Sequence, residues 1–164
     1  MCNQLLRILL ASYLLLCCCA TTKSDHSKKP KVTKLEVLEI SPPPGGQVDD
    51  DTILVARVAY SIQNFKNDPD LYDIKLQFQH KSGGSSSFGE EGRIILKKSQ
   101  GTVQFNQPLR KVVNSTFLVK PIKFFFYLTE RQGPPRRMKI TEKVSLGTPS
   151  AVIASSETYR YQIK

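Results

Sequence analysis

Few side chains in this sequence have the types and spacing to do chemistry, and they are scattered. The densest group of carboxylates is Asp49-Asp50-Asp51, with Asp68, Asp70 and Asp73 further on. A calcium ion takes six or more oxygens, but this spacing matches no calcium loop, and the alternation of a strand points neighbours apart. A charged turn before a strand is the expected state. Ser85-Ser86-Ser87 could supply a nucleophile only with a base beside it, and no G-x-S-x-G or S-x-x-K context surrounds it. Glu90 and Glu91 are adjacent rather than opposed across a cleft, so they read as solvated loop charges. His26 and His80 are the two histidines, one in a polar linker and one at a strand end, and they make no transition-metal ligand set. No glycine loop for phosphate is present. The expectation is a chain that is not an enzyme and needs no cofactor and no metal.

The charges that could bind rather than react lie later. Arg131, Arg136, Arg137 and Lys139 bracket Gly133-Pro134-Pro135, a basic loop between two strand-like runs. Loops at the ends of β scaffolds are where binding surfaces are built, and Arg pairs bidentately with carboxylate or phosphate. These four are the candidate partner-binding residues. Net charge is +10, with 24 Lys and Arg against 14 Asp and Glu. That balance favours anionic partners. Nucleic acid is not expected, because no recognition module or basic helix appears.

The four cysteines, Cys2, Cys17, Cys18 and Cys19, all fall near the N-terminus. There a single charge, Arg7, precedes an uncharged apolar stretch from Ile8 to Ala20. This is the pattern of a secretory signal peptide, and thirteen residues fall short of the roughly 20 a spanning helix needs. Beyond it no cysteine remains, so the exported domain must fold without disulfides. Leu16-Cys17-Cys18-Cys19 resembles the processing site of bacterial lipoproteins, with an apolar residue three positions before the modified Cys. Leu15-Leu16-Cys17-Cys18 fits about as well, and Leu14-Leu15-Leu16-Cys17 less so because Leu16 is bulky. The family's usual Gly, Ala or Ser before the Cys is here another Cys. The resemblance implies lipidation at Cys19, Cys18 or Cys17 and a membrane anchor through that lipid. Ala20 stands where an Asp would favour inner-membrane retention, so it implies the outer membrane. The alternatives are cleavage after Ala20, giving a secreted protein, or an uncut segment with palmitoylated cysteines.

The elements that must position these residues follow from the pattern of the remaining chain. Residues 1–19 form the signal, 20–33 a polar linker, and 34–164 one domain of ordinary size. Strand-like runs cover Lys34–Ile40, Thr52–Ile62, Leu71–His80, Arg93–Lys97, Thr102–Phe105, Val112–Val119, Ile122–Glu130, Met138–Leu146 and Glu157–Ile163. The run Thr52–Ile62 is apolar on one face and largely apolar on the other, and so belongs in the middle of a sheet. In the run Leu71–His80, Ile74, Leu76 and Phe78 face a core, while Asp73, Lys75, Gln77 and Gln79 are expected on a wet face. Lys81–Gly89 reads as a mobile Gly/Ser loop, and Gly147–Ser156 as an irregular link or part of the last strand. No run has convincing helical periodicity. The expected fold is all-β, a single antiparallel β-sandwich.

The stretch Leu38 to Val48, with Ser41-Pro42-Pro43-Pro44-Gly45-Gly46 between strand-like runs, resembles the opening of bacterial immunoglobulin-like and fibronectin type III-like domains. That resemblance implies a fold and no activity. The expected function is a lipid-anchored binding or assembly module that contacts a protein or anionic component of the cell envelope. The alternative is a structural or accessory subunit of a secretion or surface apparatus, recognised through a sheet edge.

Overall fold

The computed structural model describes residues 32–133 and 150–164. Ten strands and one short helix are present among them: β1 Lys34–Ser41, β2 Gln47–Val48, β3 Ile53–Ser61, β4 Tyr72–Gln79, β5 Ser85–Ser86, β6 Arg93–Ile95, β7 Gln100–Pro108, α1 Arg110–Val113, β8 Ile122–Arg131, β9 Ser150–Ser155 and β10 Tyr159–Ile163. They build a β-sandwich of two sheets. One has the order β1-β3-β7; the other runs β2-β10-β8-β4-β5, with β6 also on β4 and β9 also on β8. All pairings are antiparallel except the two-residue contact of β2 with β10.

The alternation of the sequence explains the layers. On β3, Leu54, Ala56, Val58 and Tyr60 point into the core, and β3 lies between β1 and β7 as expected. On β8, Ile122, Phe124, Phe126 and Leu128 are fully buried. Burying a side chain of this size stabilises by about 1.5–3 kcal/mol, so this row and its partners hold the sheets together. Phe126 meets Phe105 of β7 across the sandwich, ring centroids 5.2 Å apart. Phe124 stacks on Tyr161 of β10 at 5.0 Å. The Tyr161 hydroxyl donates to the Pro42 carbonyl, tying β10 to the turn after β1.

The last strands share one neighbour. β10 pairs with Ile122–Phe124 of β8, and β9 with Tyr127–Arg131 of the same edge. Between them Ser156 takes over the ladder: its N–H donates to the Phe126 carbonyl and its Oγ accepts from the Phe126 N–H. Ser150–Ser155 is therefore a strand of its own, in a stretch read as an irregular link or part of the last strand. The run Met138–Leu146 lies outside the described residues. At the start, Ser61 Oγ donates to the Val32 carbonyl and the Gln63 N–H donates to Thr33 Oγ1, so the chain enters beside the end of β3.

Two expectations are overturned. Val112–Val119 is not a strand. Arg110–Val113 closes a single helical turn instead, because Leu109, Val112 and Val113 at helical spacing all reach the core. Asn114 ends the turn, its N–H and its Nδ2 both donating to the Arg110 carbonyl. Nor does β4 have a wet outer face: Asp73 and Gln77 are 4% and 9% exposed. The strands beside β4 in the same sheet, β6 and β8, and Ser87 just after β5 supply their partners. The Asp73 carboxylate accepts from Arg93 Nε at 2.6 Å and from the Thr129 hydroxyl, with Lys75 Nζ at 3.7 Å. Gln77 donates to Ser87 Oγ at 2.6 Å, and Ser87 donates to the Leu76 carbonyl. The Gly/Ser loop is thus hydrogen-bonded to β4 along its second half.

Candidate functional site

A concavity carrying both apolar and polar groups lies at one end of the sandwich. It forms where β3 hands over to β4. Ile62 is still core, and the chain then turns through Asn64 (φ 56°) and Asp70 (φ 59°). Asn and Asp are the non-glycine residues that best tolerate this left-handed conformation. Between these points Phe65 folds back to stack on Tyr72, centroids 5.1 Å apart. The opposite wall is the link from β6 to β7, held by the Leu96 N–H donating to the Tyr72 carbonyl at 2.9 Å. The result is a groove of about 470 Å³ with Phe65, Ile95 and Leu96 as apolar lining and Asn67, Asp68, Asp70 and Lys97 as polar lining. That size and mixture are typical of small-ligand and peptide sites.

Arg131 of β8 braces this groove from behind. Its Nη2 is 3.0 Å from Asp68 Oδ2, its Nη1 donates to the Pro69 carbonyl, and its Nε donates to the Gly133 carbonyl. The side chain is only 9% exposed. Arg131 therefore holds the wall and presents little charge outward. The other candidate partner-binding residues, Arg136, Arg137 and Lys139, lie outside the described residues, as do Cys17, Cys18 and Cys19. Beside the groove, Lys66 Nζ pairs with Glu130 at 3.2 Å. Burial, and secondarily Glu130, pushes the Tyr72 phenol up.

Of the other polar groups found in the sequence, His80, Ser86 and Asp49 are engaged in the fold. His80 Nε2 lies 2.8 Å from Ser86 Oγ, so a base does stand beside the serine run. The ring packs edge-on against Phe117 at 5.0 Å. No acid among the hydrogen bonds of the described residues orients its other nitrogen, and the pair closes the β4–β5 hairpin. Asp49 and Thr52 exchange hydrogen bonds: Thr52 Oγ1 donates to Asp49 Oδ1 at 2.6 Å, and the Asp49 N–H donates to Thr52 Oγ1. Lys164 Nζ reaches the same carboxylate at 2.7 Å. The Lys164 ammonium, then Thr52, hold the Asp49 carboxyl below its ordinary range. Asp50 and Asp51 point to solvent, as do Glu90 and Glu91 on a 3-10 turn. Among the described residues no three acidic, His or Cys side chains gather closely enough to hold a metal, and no helix is long and apolar enough to cross a membrane.

Sequence reasoning did not find the groove. Its lining comes from two segments about thirty residues apart, and the signal was only an Asn/Asp/Pro-rich loop between two strong strands. Compared with models of protein families and with curated proteins, the chain matches none.

Proposed function

We propose that this chain is a non-enzymatic, lipid-anchored module of the cell envelope that binds another envelope component. The observation that carries the reading is the groove between the β3–β4 loop and the β6–β7 link. Its wall is braced by Arg131, and in the sequence Arg136, Arg137 and Lys139 follow that residue closely. The anchor is the N-terminal signal with Cys17, Cys18 or Cys19 as the acylated residue. The partner is a protein or an anionic envelope component, and the outer membrane is favoured over the inner.

Crosslinking and mass spectrometry on intact envelopes tests the binding. Ile95→Glu, which places a charge in the apolar lining, and Arg136→Glu with Arg137→Glu should each deplete the same crosslinked partner. Unchanged profiles in both would remove the groove and the basic residues from the account. Hydroxylamine-resistant lipid labelling that disappears on Cys17, Cys18 and Cys19→Ser tests the anchor, and an unlabelled wild-type chain would sink it.

A further inference from the structure

The two edges of the β1-β3-β7 sheet are finished differently, and the difference points to a strand-accepting site. β1 contains Lys34, Glu36 and Glu39, and its register slips at Leu38, which bulges out. Charges and bulges of this kind keep an edge from pairing with other chains. β7 has neither. Its nine residues, Gln-Gly-Thr-Val-Gln-Phe-Asn-Gln-Pro, contain no charge, and they pair with β3 in unbroken register from Gln100 to Pro108.

The ladder shows which backbone groups β7 leaves open. The Leu109 N–H donates to the Thr52 carbonyl and the Ile62 N–H to the Ser99 carbonyl. Antiparallel pairs alternate between hydrogen-bonded and non-hydrogen-bonded, so Gly101, Val103, Phe105 and Gln107 bond to β3. Gln100, Thr102, Gln104 and Asn106 aim their N–H and C=O groups away from it. Those four residues are exposed, and no strand among the described residues covers them. The 3-10 turn Glu90–Gly92 packs against part of β7, and a Cβ on Gly92 would lie 3.3 Å from Gln107 Oε1.

Charge selects the occupant. Lys97 and Lys98 precede the strand and Arg110 and Lys111 follow it, all exposed, against Glu90 and Glu91 of the neighbouring turn. Two copies meeting edge to edge would bring together two surfaces on which cations outnumber carboxylates, on chains of net charge +10. An extended segment with carboxylates at its ends meets the opposite sign. We infer that the β7 edge accepts an extended, acid-flanked segment of another protein as an added antiparallel or parallel strand. The inference rests on the domain being a binding module, but not on the groove.

Amide hydrogen exchange on the full chain tests it, with a ten-residue probe peptide of alternating Thr and Val between paired Glu residues, and a second probe with Lys in place of Glu. Alone, the protein should exchange quickly at Gln100, Thr102, Gln104 and Asn106 and slowly at Val103 and Phe105. The Glu-ended peptide should slow the four amides by about tenfold or more, and the Lys-ended peptide should not. Gln104→Pro removes one outward N–H at a position where an edge strand tolerates Pro, and should abolish the slowing. Gln104→Lys reads the same effect if the Pro variant does not fold. Lys97→Glu with Lys98→Glu should remove the preference for the acidic peptide. Protection of the four amides without peptide, protection that grows with protein concentration as dimers form, or slowing that survives Gln104→Pro and Gln104→Lys would each overturn the inference. Loss of the Ile95→Glu crosslinking effect would instead remove the groove and leave the edge standing.

Discussion

Outward-facing polar side chains on β3 and on β4 look alike along the chain and have opposite fates. On β3, Arg57 stands in solvent and pairs with Glu39 at 3.4 Å, both side chains more than half exposed. On β4, Asp73 and Gln77 occupy the equivalent outer face of the other sheet but are buried among neighbours, bonded to Arg93 and Thr129 of the adjoining strands and to Ser87. The difference teaches that alternation tells which face is polar and not whether water reaches it. A buried polar face constrains the strands beside it, because each buried donor or acceptor must be matched. An open polar face constrains nothing above it.

The contrast can be broken most forcefully where the two sheets meet. Phe126→Ala should cost about 3–5 kcal/mol in urea unfolding, since it empties core space against Phe105 and Phe124. A cost below about 1 kcal/mol would mean that the sheets do not depend on each other. Next, Asp73→Ala should cost about 1–3 kcal/mol by leaving the buried Thr129 hydroxyl and the Arg93 guanidinium short of an acceptor. It should also speed exchange across residues 85–95. If it behaves like a surface substitution, the buried face is not held by its polar bonds.

Alkali gives a third measure. Burial raises the phenol of Tyr161 strongly and those of Tyr60 and Tyr159 as well. A raised folded value means the neutral phenol is favoured in the fold. Stability should therefore be full below the ordinary phenol value near 10 and fall as pH rises beyond it. Tyr161→Phe should cost about 1 kcal/mol at neutral pH, through the lost bond to Pro42, and should flatten the alkaline fall. An unchanged slope between pH 9 and 11, roughly one unit either side of that value, would count against it. The smallest effect belongs to the open face: Arg57→Ala should change stability by no more than about 0.5 kcal/mol. A larger loss would show that the outer face of β3 is covered after all. At acid pH the sign reverses. The lowered Asp49 carboxyl contributes stability above its unfolded value near 4 and loses it as pH falls further, and Asp49→Asn should remove that part of the acid slope.

Much of the fold was legible because its longest strands alternate without interruption. Leu54 to Tyr60 and Ile122 to Leu128 name their own inward faces, and those faces are the core. α1 was not legible, because one turn of helix leaves only Leu109, Val112 and Val113 as its signature, and two of these fit a strand as well. The burial of the polar face of β4 was not legible because Asp73 finds Arg93 twenty residues on and Thr129 fifty-six residues on. Such matches are tertiary, and no local pattern encodes them. The candidate site was half legible. A basic loop after Arg131 was marked, but its first residue turns inward to Asp68, and the concavity it braces comes from segments that sequence periodicity does not connect.

The bonds that Ser61 and Gln63 donate to Val32 and Thr33 decide where the incoming chain joins the domain. They fasten the incoming chain to the same end of β3 from which the groove loop departs. Under the proposed anchoring at Cys19, only about a dozen residues separate the acylated position from that fastening, a leash of about 40 Å when fully drawn out. Such a leash would keep that end of the domain, and the groove with it, within about 40 Å of the lipid surface. β7 runs from that end along the flank, where a passing strand can meet it from the side.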